Sequence, residues 1–244
     1  MTQLDLTLWR ATGGIIGVMA IGGCLPFLVA RKGRSLSWGL AFAAGILLAS
    51  AFFHLMPEAY AAMGAAAGMW VLGGFLFLYL FERFITVHIC ETLGCHVHTV
   101  GLSALFGLSI HTFANGVAIG AGVLGGLGNM VFLAVAAHKL PEAYSLTTIL
   151  LHERYDRARI MLMNLLFMSM IPLGVWSVRW LVHPLSGDEI VAWTLAFSAG
   201  TFVHIAVSDL LPEVHQRSHE RIAPAVAFLL GIVMVAVVGQ LSHR

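Results

Sequence analysis

The chain has 244 residues, of which 59% are hydrophobic and only 10% charged, with a mean hydropathy of +0.89; an average soluble domain carries roughly 25% charged residues. That composition excludes a soluble globular domain, and a net charge of +1 with His neutral leaves no basic field for nucleic acid. The unusual residue is histidine, whose 12 copies equal Asp and Glu together, whereas three Cys with no C-x-x-C pair indicate neither a disulfide framework nor a redox role.

Crossing a bilayer as a helix takes about 20 apolar residues. Eight runs meet that need: Leu6 to Val29, Leu36 to Glu58, Gly68 to Thr86, Thr99 to Gly122, Gly128 to Leu151, Arg159 to Leu181, Glu189 to Leu211 and Ile222 to Leu241. The connections are short and leave no room for a soluble domain, so residues 1–244 read as a single transmembrane domain, all-α and polytopic. The first run is too long, and too poor in preceding charge, for a secretory signal, and reads as helix one.

Lys and Arg set the orientation. Arg31, Lys32, Arg34, Arg83, Arg154, Arg157, Arg159, Arg217 and Arg221 fall on one side of an eight-helix drawing, against Arg10, Arg179 and Arg244 on the other. By the positive-inside rule the first side is cytoplasmic and both termini face outward.

One pattern echoes three times, as His54-Leu-Met-Pro57-Glu58, His138-Lys-Leu-Pro141-Glu142 and Asp209-Leu-Leu-Pro212-Glu213. A ligand-type residue precedes Pro-Glu by three positions, at the outer end of helix two, mid-membrane in helix five and the inner end of helix seven. Internal repeats and helices interrupted at the midplane are what secondary transporters are built from.

The centre of the chain is His111-Thr-Phe-Ala-Asn115-Gly116 with its reply His138-Lys-Leu-Pro141-Glu142. Residues four apart share a helix face. Helix four runs outward and helix five inward, so His111 and His138 come out at similar depth, with Asn115 and Glu142 about one turn, roughly 5.4 Å, to either side. Ionisable groups at the midplane mark an ion or substrate path, and two imidazoles with a carboxylate suit Zn²⁺ and its first-row neighbours. Lys139 must point away, pair with Glu142 or Asp209, or stand in for a second ion. Two other classes use the same residues: an intramembrane zinc-dependent hydrolase, although the chain has no His-Glu-x-x-His, and a haem carrier with His111 and His138 as axial ligands.

The segments His111-x-x-x-Asn115-Gly116-Val-Ala-Ile-Gly120, His138-Lys-x-Pro-Glu142 and Ser198-Ala-Gly200 through Asp209-Leu-Leu-Pro-Glu213-Val-His215, with His54-Leu-Met-Pro-Glu58, closely resemble the ZIP (Zrt-, Irt-like protein) family of divalent metal transporters. The resemblance implies eight transmembrane helices with both termini outside, a homodimer in the inner membrane of a prokaryote, and inward movement of Zn²⁺, or of Fe²⁺, Mn²⁺ or Cd²⁺, as substrate with no cofactor. It places His111, Asn115, His138 and Glu142 on the family's primary metal positions. Many members carry a carboxylate where Asn115 stands, and binuclear members have Asn or Asp where Thr112 and Lys139 stand. This implies a mononuclear site here, with Lys139 in place of the second ion and weaker binding.

Around that centre, His54 and Glu58 read as an entrance, and His204, Asp209, Glu213 and His215 as an inner exit. His88, Cys90, Glu91, Cys95, His96 and His98 resemble the family's His-rich cytoplasmic loop, with His96 and His98 joining the exit. Met56, Met63, Met161, Met163, Met168 and Met170 read as packing or lipid-facing residues.

Overall fold

A computed structural model describes residues 3–29, 34–85, 99–124, 128–181, 187–217 and 222–242. Its described residues form eight helical rods: α1 (Gln3–Val29), α2 (Arg34–Ser50, Ala51–Leu55 and Met56–Met63), α3 (Ala67–Ile85), α4 (Thr99–Leu124), α5 (Gly128–His152), α6 (Arg157–Leu181), α7 (Gly187–His204, Ile205–Leu210 and Leu211–Arg217) and α8 (Ile222–Ser242). A one-turn 3₁₀ segment at Gly64–Ala66 joins α2 to α3. There is no strand among the described residues.

The apolar surface is turned outward and the polar groups inward, the reverse of a soluble protein. Leu28, Met69, Leu72, Met161 and Leu165 are exposed, while His111, Thr112, Lys139, Glu142 and Ser198 are buried. An apolar exterior of this extent is what a lipid solvent requires. The stretches Asp5–Leu28, Leu36–Phe84, Val100–Val123, Arg157–Val178 and Val191–His215 are each long and apolar enough to cross a membrane; the second holds both α2 and α3. Ile222–Val237 is a shorter apolar helix. α5 falls outside this set, and it is the rod whose apolar run is interrupted by His138, Lys139, Pro141 and Glu142.

Two rods are longer than the apolar runs suggested, for a shared reason. α2 passes through Pro57 to Met63 and α7 passes through Pro212 to Arg217, each widening into a π turn, at Ala51–Leu55 and at Ile205–Leu210, just before its proline. A proline has no N–H and crowds the preceding turn; a wider turn takes up the misfit, and π turns recur at functional positions. The two turns hold His54 and Asp209, members of the echoed pattern. The third copy, on α5, accommodates Pro141 within α-helix.

The packing falls into pairs: α4 on α6, α2 on α8, α1 on α5 and α3 on α7. Glycines allow the close approach. A Cβ at Gly116 would meet the Ile171 carbonyl and stand 2.9 Å from the Gly174 Cα, so α4 and α6 touch backbone to backbone beside Asn115. α5 ends in a tight turn in which the Arg154 N–H bonds to the Leu151 carbonyl (3.1 Å) and the Tyr155 N–H to the Leu150 carbonyl (3.2 Å). Arg154 itself has φ 60°, the left-handed position that normally favours glycine.

Candidate metal centre

α4 and α5 meet at the motif residues. His111, Thr112 and Asn115 descend one face of α4, and His138, Lys139 and Glu142 face them from α5, all of them buried. The Glu142 Oε1 lies 3.1 Å from His111 Nε2 and 3.9 Å from His138 Nε2. The Asn115 amide nitrogen lies 3.0 Å from His111 Nε2 and 3.1 Å from His138 Nε2. One ligand atom from each of His111, His138 and Glu142 falls within 4.8 Å of the other two. Buried polar atoms are normally hydrogen-bonded, yet Glu142 Oε1 has no hydrogen bond of good geometry. It is an acceptor aimed at the point the imidazoles share.

Of the three roles open to Lys139, the structure realises pairing with Glu142. Its Nζ donates to Glu142 Oε2 and, at 3.0 Å, to Thr112 Oγ1, and it lies 6.0 Å from the centre of the Phe167 ring. The carboxylate is thereby divided: Oε2 faces the ammonium, Oε1 the imidazoles. Such an uncompensated charge in an apolar interior would be costly, and the pairing is what permits Lys139 to be fully buried.

His54 stands closer than a mouth residue needs to. Its ring packs 4.8 Å from the His138 ring, and its Nδ1 is 3.0 Å from Glu58 Oε1. Both are partly buried, the Glu58 side chain more open (41%) than that of His54 (19%), so the pair leads from the surface to the centre. On the opposite side the Phe202 ring of α7 meets the His111 ring edge-on at 5.0 Å.

A second convergence joins α3 to α7. His204 and Asp209 form with Glu82 a group whose ligand atoms lie within 4.8 Å of one another, and His204 Nε2 is 2.9 Å from Glu82 Oε2. The sequence reading named His204 and Asp209 but missed Glu82, which lies next to Arg83 at the end of an otherwise apolar helix; an acid in that run was the available signal. Glu213 stands apart from this group and pairs with His152, at 2.8 Å between Oε1 and Nε2. His152, at the end of α5, was also missed. His215 is exposed and bonds the Leu211 carbonyl of its own helix. His88, Cys90, Glu91, Cys95, His96 and His98 lie outside the described residues. The methionines Met56, Met63, Met163 and Met168 pack against the core, and Met161 is exposed.

Beside this group lies Glu153, in the turn after α5, with its carboxylate against Gly101 in the first turn of α4. Burial pushes its carboxyl up to about 8, the neighbouring Glu213 and Glu82 push the same way, and the Gly101 and Val100 amides pull against them.

Comparison with known proteins finds relatives across most of the chain. A sequence model described as "ZIP Zinc transporter" matches residues 6–92 and 88–239. Zinc transporter ZIP13 of Pongo abelii is 29% identical over 240 residues, covering 87% of this chain and 71% of that protein. Zinc transporter ZIP9 of Micropogonias undulatus is 30% identical over 170 residues, covering 65% and 55%, and ZIP9 of Macaca fascicularis is 35% identical over 123 residues, covering 46% and 52%. The chain thus spans about half the length of its ZIP9 relatives. The family is one of transporters and not of enzymes, with zinc as cargo and no cofactor. The match runs through nearly the whole chain, and the chain is a multi-pass membrane protein that belongs to the ZIP zinc transporter family.

Proposed function

We propose that this chain carries Zn²⁺, or a related divalent ion such as Fe²⁺, Mn²⁺ or Cd²⁺, across the membrane toward the cytoplasm through one intramembrane site. The observation that carries the reading is the convergence of His111 Nε2, His138 Nε2 and Glu142 Oε1 within 4.8 Å of one another in the buried heart of the bundle. Nitrogen and carboxylate oxygen together suit a borderline first-row ion, and Asn115 completes the set. Lys139 fills the place of a second cation and keeps the site mononuclear.

The ion enters past Glu58 and His54, binds between α4 and α5, and leaves by His204, Asp209 and Glu82 toward Glu213 and the loop carrying His96 and His98. Eight spans, both termini outside and a homodimeric assembly complete the proposal; its support is the charge bias of the loops and the eight rods. The inner membrane of a prokaryote is the location proposed, while the relatives above are animal proteins. The hydrolase and haem readings are set aside, because the family's zinc is cargo and Glu142 occupies the space beside both imidazoles.

Zinc uptake by purified protein in liposomes tests the function, with His138→Ala as the control that still inserts and folds. Uptake that persists in that variant removes the site.

A further inference from the structure

Lys139 does more to Glu142 than neutralise it. Its Nζ donates to Oε2, one of the two oxygens of the carboxylate, and at 3.0 Å to Thr112 Oγ1, while Oε1 faces His111 Nε2 at 3.1 Å and His138 Nε2 at 3.9 Å. The ammonium is held from three helices: Lys139 and Glu142 lie on α5, Thr112 on α4, and the Phe167 ring of α6 is centred 6.0 Å from the Nζ. Lys139, Thr112, Glu142 and Phe167 are all wholly buried, so the cation has no solvent to swing into. Two oxygens that could otherwise serve a metal, Glu142 Oε2 and Thr112 Oγ1, are thereby spent on one ammonium. Across from them the Phe202 ring, 5.0 Å from the His111 ring, offers no donor atom.

We infer that Lys139 sets the ion preference of this centre: it confines Glu142 to a single ligating oxygen, and the site then favours four-coordinate Zn²⁺ over six-coordinate Mn²⁺. Two effects act in the same direction. The first is donor count. His111, His138 and Glu142 Oε1 supply three donors, and one further position completes the tetrahedron that Zn²⁺ adopts. Mn²⁺ is served by an octahedral shell rich in oxygen, and a carboxylate that could have gripped it with both oxygens has one to give. The second is charge. Glu142 is the one carboxylate among the motif residues His111, Thr112, Asn115, His138, Lys139 and Glu142, and the ammonium offsets it. A dication then gains little from simple attraction, and the preference falls to bond type, where imidazole nitrogen favours zinc over manganese. Without the ammonium, Glu142 regains a second oxygen and a full negative charge, and both gains are larger for the hard ion than for the borderline one. Thr112 has the positioning part, since its Oγ1 fixes the ammonium on the Oε2 side.

The inference rests on the metal site proposed above, and uptake of two ions tells them apart. Zn²⁺ and Mn²⁺ are offered separately to the full-length protein in liposomes, and the readout is the ratio of their kcat/KM values. Lys139→Met keeps the length of the side chain and removes its charge and donors. The ratio is expected to shift toward Mn²⁺ by roughly 10–100-fold, the scale on which groups around a metal's own ligands tune it. Thr112→Val, which keeps the ammonium but removes the hydroxyl that holds it, is expected to shift the ratio the same way by a smaller factor. A change that only loosened the fold would lower both uptakes and leave the ratio where it was. If Lys139→Met yields no folded protein, Thr112→Val decides alone. A parental ratio in every folded variant, with uptake still lost in His138→Ala, overturns the role of Lys139 and leaves the site standing. Zinc uptake that persists in His138→Ala overturns both.

Discussion

Lys139 and Glu142, three residues apart on α5, form a fully buried ion pair that leaves Glu142 with one oxygen for the ammonium and one for the imidazoles. Removing one partner from a buried pair costs about 3–5 kcal/mol, because the other charge stays uncompensated. Lys139→Ala is therefore expected to lower the thermal midpoint of the purified protein well below that of the parent. Added zinc supplies the missing positive charge and should stabilise the variant more than the parent; equal stabilisation would show that the ammonium and the ion do not share Glu142. In the complementary variant, Lys139→Asp with Thr112→Asn, two bound ions per protomer are expected where the parent has one. Metal-to-protein stoichiometry checks this, and a second ion in the parent removes the idea.

His54 is expected to govern capture. Its ring lies against His138 while its Nδ1 faces the half-buried Glu58, so it gathers ions at the approach without belonging to the central ligand set. His54→Ala should raise the apparent KM for zinc several-fold and leave the rate at saturating zinc nearly unchanged, as expected of a group that raises local ion concentration. Loss of turnover at saturating zinc in Glu58→Gln would place the pair at the centre instead.

The helical class and the central constellation were legible because both rest on local rules. Apolar run length announces a membrane helix, and a four-residue spacing puts His111 with Asn115, and His138 with Glu142, on single faces. The partner of Lys139 was one of several possibilities in the sequence, since choosing among Glu142, Asp209 and a vacant position needs the packing of α4 on α5. Glu82 and His152 were missed for a related reason: each is a polar residue near the end of its helix, outside the echoed pattern, and only the placement of α7 against α3 and α5 gives it a partner. The two π turns were hidden as well. Pro57 and Pro212 read as helix ends, and the helices continue past them because a widened turn absorbs the misfit.

Gly116 sets the position of Asn115 from behind. A side chain there meets the Ile171 carbonyl and stands 2.9 Å from the Gly174 Cα, and neither backbone can yield without moving a helix. Gly116→Ala is expected to cost about 1–3 kcal/mol, the range for overpacking a close-packed interior, and to reduce zinc affinity by shifting α4. Gly17→Ala, where an added methyl has nothing within 4 Å, is the matched control. A Gly116→Ala protein with parental stability and zinc affinity would show that the α4–α6 contact does not fix the site.

Glu153 gives the fold a pH dependence whose sign can be worked out. Burial, joined by the charges of Glu213 and Glu82, raises its carboxyl from the ordinary 4.5 to about 8 in the folded chain. Below the ordinary value the group is protonated whether the chain is folded or not, and it contributes no difference. Between pH 4.5 and about 8 the folded state keeps a proton that the unfolded state has released, so stability falls as pH rises, by at most about 1.4 kcal/mol per pH unit. Above the raised value both states are ionised and the effect levels off. Glu153→Gln resembles the protonated acid in shape and cannot ionise, so it is expected to match the parent near pH 5 and to exceed it progressively toward pH 8. Thermal midpoints of the two proteins across that range, in one detergent and at one ionic strength, measure the difference; parallel curves would show that the Glu153 carboxyl does not hold its proton in the fold.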